Sequence, residues 1–433
     1  VNRREFVSGV TAMANATGLF EPPNEVIAKA RKAGLEVLKP KPAEVERGYK
    51  LHADSIVMEP YGFAPRAAVD GEAVKRAYED GMSDGDLEEL MDEMENTRFV
   101  ADERERQEFI AGWRASGVTC IVQNAGRESQ DPLQLIRRLG YFTHAIDSMP
   151  GFLVRVTDPE DILTAKKANR AAMALSLNGV PLEQRWTSVP SEMGLLRTFF
   201  HLGVRMMHLT YNRRNMIGDG CGESGDAGLS DFGRAVVAEM NRIGIIVDVA
   251  HSGWRTSLEA AKASSRPMVA SHTACAALHS HFRAKPDEVI RAIADTGGFI
   301  GICAVGDFLG RTRNLAAMLD HIDYAVRKFG ADHVAIATDY SYRSRFARAE
   351  GRKIPARRRL HARWESLWPK RVTSNAAEQA TMAWTNWPLF TVGLVQRGYS
   401  DTDIRKIIGG NAMRVAKAVF PPRVRIRPSP GAA

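Results

Sequence analysis

A chain of 433 residues, 44% hydrophobic and 25% charged, has the balance of an ordinary folded protein, long enough for one large domain or two or three smaller ones. It holds no apolar run near the roughly 18 residues of a membrane-spanning helix, and its four scattered cysteines (Cys120, Cys221, Cys275, Cys303) make neither a disulfide framework nor a zinc ribbon. The net charge of +8 is local, because residues 341–371 carry eleven Lys/Arg against two Glu; that net +9 leaves −1 elsewhere and reads as a solvated or subunit-contacting insertion rather than a nucleic-acid groove.

Along the chain, Asn2-Arg3-Arg4-Glu5-Phe6-Val7 and the mild apolar stretch to Phe20 are similar to a twin-arginine export signal, with an amphipathic arm as the alternative. Residues 1–48 are expected to form an N-terminal extension. Eight short apolar or β-branched runs follow: 49–52, 118–123, 172–177, 204–210, 245–250, 267–271, 298–304 and 333–338. Several are nearly continuous in hydrophobicity, as parallel strands buried on both faces must be. Helical spacing appears between them. Val236, Val237, Met240 and Ile243 share a face behind Ser230, and so do Leu319, Ile322, Val326 and Phe329 before Gly330. Eight strands alternating with helices predict a (β/α)8 barrel over residues 49–420, with a doubly wound sheet as rival; residues 421–433 form a Pro- and Arg-rich tail.

In such barrels the chemistry sits at the C-terminal ends of the strands. The first run ends in His52-Ala53-Asp54, whose two polar residues would point the same way on an extended chain. The fifth ends in Asp248-Val249-Ala250-His251, the sixth in Ser271-His272 and the eighth in Thr338-Asp339. Imidazole and carboxylate are the donors a zinc-like divalent ion takes. One histidine after a strand means little, but this set falls at the mouths of four strands. His208 is placed inside the fourth strand and is not counted among the candidates.

Longer motifs then become legible. Leu202-Gly203-Val204-Arg205 runs into His208-Leu209-Thr210-Tyr211-Asn212. Gly228-Leu229-Ser230-Asp231 leads to Val247-Asp248-Val249-Ala250-His251, then Pro267 through His272, and finally Arg397-Gly398-Tyr399-Ser400 through Gly409-Gly410-Asn411 to Arg414. In this order, from Leu51 to Arg414, the chain resembles the membrane (renal) dipeptidase family. The resemblance implies a (β/α)8 barrel with two zinc ions. His52 and Asp54 would hold one, and His251 and His272 the other. It further implies that Asp339 moves the protons of the attacking water and leaving amine, and that Arg283 holds the substrate carboxylate.

Two positions depart from the family pattern. A bridging glutamate is expected where Asn178 stands, and a neutral amide bridges two dications poorly. Tyr211 replaces a histidine that steadies the tetrahedral intermediate, although its hydroxyl still donates a hydrogen bond. The expectation is a zinc-dependent hydrolase of a dipeptide or small amide with one or two ions. Its partner would be a small-molecule substrate, with no nucleic acid, no integral membrane and possible homodimerisation. It would be cytoplasmic, or periplasmic if the twin arginines direct export. The alternatives are a biosynthetic tailoring reaction at an altered metal site, and a non-catalytic binding protein.

Overall fold

The computed structural model describes residues 18–127, 131–356 and 376–421. The twin-arginine segment through residue 17, residues 357–371 of the basic block and the tail beyond residue 421 lie outside the described residues.

Among the described residues, nine parallel strands form one sheet: β1 (Met58–Gly62), β2 (Cys120–Arg127), β3 (Leu153–Arg155), β4 (Ala171–Asn178), β5 (Val204–His208), β6 (Ile246–Asp248), β7 (Val269–Thr273), β8 (Phe299–Cys303) and β9 (Val334–Ala337). Eight run in the order β1-β2-β4-β5-β6-β7-β8-β9, and β3 is an extra edge on β4. Past the last strand, Asp339 N donates to Tyr61 O at 3.4 Å and Phe63 N to Tyr340 O at 3.2 Å, so the end of the series meets its beginning. The fold is a (β/α)8 barrel.

Its interior is filled by Met58, Cys120, Val122, Ala172, Ala174, Met206, Ile246, Val269, Phe299, Ala335 and Ala337. The many alanines suit a barrel whose axis leaves little room. Ala412, Met413 and Val415 of the helix Asn411–Val419 join this cluster and close the end opposite the strand C-termini. The glycines of Ile407-Ile408-Gly409-Gly410 have a reason to be there. A Cβ on Gly409 would lie 2.2 Å from Ile56 O, so only glycine lets this segment reach the start of β1. A larger shell outside the strands (Ile121, Leu175, Met207, Val247, Ile300, Ile336) packs against the surrounding helices.

Seven of the eight expected strands fall where the apolar runs placed them, within a few residues. The first does not. Residues 49–52 belong to the helix Pro42–Asp54, and the barrel opens at β1, six residues later. Pro42 sits at the helix start and Lys41 N donates to the Glu44 carboxylate at 2.7 Å, an N-terminal pattern that fixes the helix. Val45, Gly48, Tyr49 and His52 recur at helical spacing and pack against the helix Trp387–Gln396, so closely that a Cβ on Gly48 would lie 2.7 Å from Val392 Cγ2. A four-residue window cannot separate that period from a strand's. No helix among the described residues is long and apolar enough to cross a membrane.

Candidate active site

Strands β5, β6 and β7 each send an imidazole into the barrel mouth. His208 ends β5 and turns inward with Met206, two residues back. His251 follows β6 by three residues, and His272 lies within β7. All three are buried, and one ring nitrogen from each lies within 4.8 Å of the other two. His251 Nε2 and His272 Nε2 are 2.9 Å apart. His251 Nδ1 is 2.7 Å from Asn212 Oδ1, which also accepts from Cys221 Sγ at 3.4 Å; an amide oxygen there keeps the proton on Nδ1 and the lone pair on Nε2. His272 Nδ1 is similarly placed 2.8 Å from Ser271 Oγ. Burial, reinforced by the positive charge of Arg283, holds both imidazoles well below their ordinary pKa and therefore neutral.

His208 differs. Its Nε2 lies 2.8 Å from Asp248 Oδ2, yet among the described residues neither of its ring nitrogens has a hydrogen-bond partner of good geometry. Burial alone would push the Asp248 carboxyl up; the adjacent His208 ring and the bonds from Ser271 outweigh it and bring the carboxyl below its usual range. Carboxylates commonly stand in this way beside metal-binding imidazoles.

The facing side of the mouth is built otherwise. The register of β1 on β2 shifts between Glu59 and Gly62, and this bulge breaks the alternation. Tyr61 turns inward: its ring stacks on His272 with centroids 3.8 Å apart, and its hydroxyl donates to Asn178 Oδ1 at 2.7 Å. Glu59 turns the other way. One carboxylate oxygen accepts from Thr338 N at 2.8 Å and from Thr338 Oγ1; the other accepts from Trp384 Nε1 at 2.5 Å and Trp387 Nε1 at 3.0 Å. Burial raises its pKa to about 7 against the pull of those four donors.

The expectation that His52 and Asp54 bind metal is corrected. His52 lies on the helix outside the barrel, with its ring nitrogens 2.7 Å from Thr391 Oγ1 and 2.9 Å from Ser116 O; burial lowers its pKa to about 3. Asp54, at the exposed end of that helix, faces away from the mouth. Two residues apart on a helix also means roughly 200° apart, so this pair could not share an ion.

The remaining expected residues gather at the mouth. Tyr211 stacks on His251 at 4.2 Å. Arg283 is buried, gives Nη2 to His272 O at 3.1 Å, lies 4.9 Å over Phe308, and has no hydrogen-bond partner for Nε among the described residues. Asp339, just past β9, has φ 58°, a left-handed conformation that Asp tolerates better than most residues. Burial raises its carboxyl to about 6, while Arg283 and His208 pull it down.

Sequence reasoning missed His208, Tyr61, Glu59 and Lys285. Inward alternation with Met206 was the available sign for His208. For the β1 pair no sign survived the bulge. Lys285 is fully buried, donates to Ser252 O and to Ser257 Oγ at 3.1 Å, and is brought down to about 8 by burial. The basic block, where it is described, folds back on the barrel's flank. Arg345 pairs with Glu108 at 3.2 Å and Arg343 with Glu95 at 3.3 Å.

The residues present fit one divalent ion at the three imidazoles, where a buried nitrogen from each converges and those of His208 have no well-aligned hydrogen bond among the described residues. They do not fit a second ion on the β1 and β4 side, which among the described residues offers Tyr61 and Asn178, with the Glu59 carboxylate taken up by Thr338, Trp384 and Trp387.

A (β/α)8 barrel with a buried histidine triad at its mouth defines a metal-site barrel in structural class. A profile described as membrane dipeptidase (peptidase family M19) matches residues 90–348, and the chain belongs to that family. Dipeptidase verJ of Clonostachys rogersoniana is 28% identical over 234 residues, which is 53% of this chain and 52% of that protein. The matched stretch thus spans about half the length of that relative. Among solved structures, an amidohydrolase from Pseudomonas aeruginosa is similar at TM-score 0.62 and 25% identity, over 86% of this chain and 99% of that one. The probable dipeptidase PvdM, also from Pseudomonas aeruginosa, reaches TM-score 0.62 at 18% identity, over 87% and 98% of the two chains.

Proposed function

We propose that the protein is a zinc-dependent hydrolase that cleaves a dipeptide or a related small amide. The observation that carries this reading is the meeting of His251 Nε2 and His272 Nε2, 2.9 Å apart and neutral, beside Asp339 and Arg283 in one mouth. When bound there, zinc supplies Lewis acidity, acidifying water and polarising a carbonyl. Every other task falls to side chains. Arg283, held by His272 O at 3.1 Å and stacked over Phe308, keeps nitrogen donors for a substrate carboxylate. Asp339, with a pKa raised to about 6, is a carboxylate at neutral pH and accepts the proton of the attacking water. It can return that proton to the leaving amine nitrogen, which must be protonated to depart. Tyr211, stacked on the His251 ring, would donate its hydroxyl proton to an oxygen gaining charge.

The test is turnover of a panel of dipeptides and N-acyl amino acids, followed by amine release, with and without a chelator. Hydrolysis that is lost on chelation and regained with zinc is expected. Hydrolysis indifferent to chelation, or none on any substrate after zinc loading, would refute it.

A further inference from the structure

We infer that the site is mononuclear, with His208 as the third protein ligand beside His251 and His272, and with the Tyr61–Asn178 pair standing in place of a second ion. This rests on the proposed metal-dependent hydrolysis and specifies the centre that performs it.

Three facts converge on His208. Its ring is fully buried, one of its nitrogens lies within 4.8 Å of nitrogens from both other imidazoles, and among the described residues neither ring nitrogen is otherwise engaged in a well-aligned hydrogen bond. A buried imidazole left without an aligned partner is costly. The arrangement is therefore explained by a ligand. Asp248, 2.8 Å from His208 Nε2 and itself fixed by Ala250 N at 2.9 Å and Ser271 N at 3.0 Å, holds the ring in place from behind. Three imidazoles from three consecutive strands leave one face of an ion open, which is the pattern of catalytic rather than structural zinc.

Three further facts exclude a second ion. Tyr61 presents a hydroxyl whose proton is committed to Asn178 Oδ1 at 2.7 Å. Asn178 carries no charge to separate two dications. Glu59, the carboxylate of β1, has both oxygens occupied by Thr338, Trp384 and Trp387 and turns out of the mouth.

Metal content of the full chain, measured by atomic emission after zinc loading and desalting, tests this together with the visible ligand-field spectrum of the cobalt-substituted protein. One ion per chain is expected, with an intense band typical of low coordination number. His208→Ala and the more conservative His208→Gln should each lose the ion, or weaken it at least tenfold in a chelator competition, with circular dichroism unchanged. His52→Gln should retain it. Two ions in the unaltered protein would overturn the mononuclear assignment. Full affinity in folded His208→Gln, with an unaltered cobalt spectrum, would overturn the role of His208. Either result can occur with dipeptide turnover intact, so it is distinguishable from failure of the hydrolase reading, in which turnover itself is missing.

Discussion

The two halves of the barrel mouth use polar residues in opposite ways. On the β5–β7 side, three buried imidazoles bring nitrogens together, and His208 has no well-aligned hydrogen bond among the described residues, an arrangement that a bound cation would complete. On the β1–β4 side the polar groups are taken up by protein partners: Tyr61 by Asn178, and Glu59 by Thr338, Trp384 and Trp387. The first half is incomplete by itself, while the second is finished. Electrostatics supports the proposed single ion. Two dications about 4 Å apart repel by roughly 15 kcal/mol at an effective dielectric constant of 20, which only an anion between them can offset. With Asn178 at that position, the second half is more stable as a hydrogen-bonded wall.

Asp339 stands at the seam between the halves, and the sharpest break of the comparison is there. Asp339→Asn keeps the size of the side chain and tolerates the same left-handed φ of 58°. It removes only the proton acceptor. Dipeptide turnover should fall by roughly 100- to 10,000-fold, with KM and metal content nearly unchanged. A loss of metal in Asp339→Asn would instead make Asp339 a ligand and move the centre across the seam.

The finished half is tested by Glu59→Gln. The four donors converging on Glu59 require four acceptor lone pairs, and an amide substitutes two donor hydrogens for half of them. Destabilisation of about 3 kcal/mol is expected, within the range for breaking a buried charged hydrogen-bond set, read as a lower urea midpoint. Because Thr338 precedes Asp339, the variant should also slow turnover of the protein that remains folded, while binding the same number of ions. An unchanged midpoint would show that Glu59 is not holding the wall together.

How much of this was legible beforehand follows from the length of each signal. β4 and β8, buried on both faces, were readable because continuous burial demands continuous apolar sequence. His251 and His272 were readable because they fall at or just past the C-terminal ends of such strands. His52 misled because Tyr49 to His52 is too short a window to tell two-residue from 3.6-residue periodicity, and the helix's own signals lay upstream at Pro42 and Glu44. Tyr61 and Glu59 were illegible for a different reason. Their opposite orientation is created by a bulge, a property of pairing with β2 rather than of β1 itself. His208 sat in plain view as the last residue of a strand, where alternation with Met206 pointed it inward.

The seam has a second signature, in pH. A proton acceptor works in its ionised form, so with the Asp339 pKa raised to about 6 the rate should be flat above that value and fall as pH drops through it. The fall should approach tenfold per pH unit at the acid end. A cation bound at the imidazoles favours the carboxylate and moves the shoulder down, so metal-loaded protein should show it at or below about 6. A limb that rises as pH falls would mean that the protonated acid is the working form and would reverse the assigned direction of the first proton transfer.

The smallest effect should come from Tyr61→Phe, and it separates the two halves most cleanly. The substitution removes one hydroxyl and leaves the ring stacked on His272, so packing beneath the imidazoles is retained. What is lost is the bond to Asn178 Oδ1 at 2.7 Å, and that oxygen is then buried without the partner it had. The expected cost is about 1–2 kcal/mol, the usual price of one buried acceptor left unpaired. Metal content should stay at one ion, because the hydroxyl is committed to Asn178 and takes no part in binding. If Tyr61→Phe instead lost the ion while remaining folded, the hydroxyl would be a ligand. The wall on the β1–β4 side would then be part of the centre, and the contrast between the halves would fail.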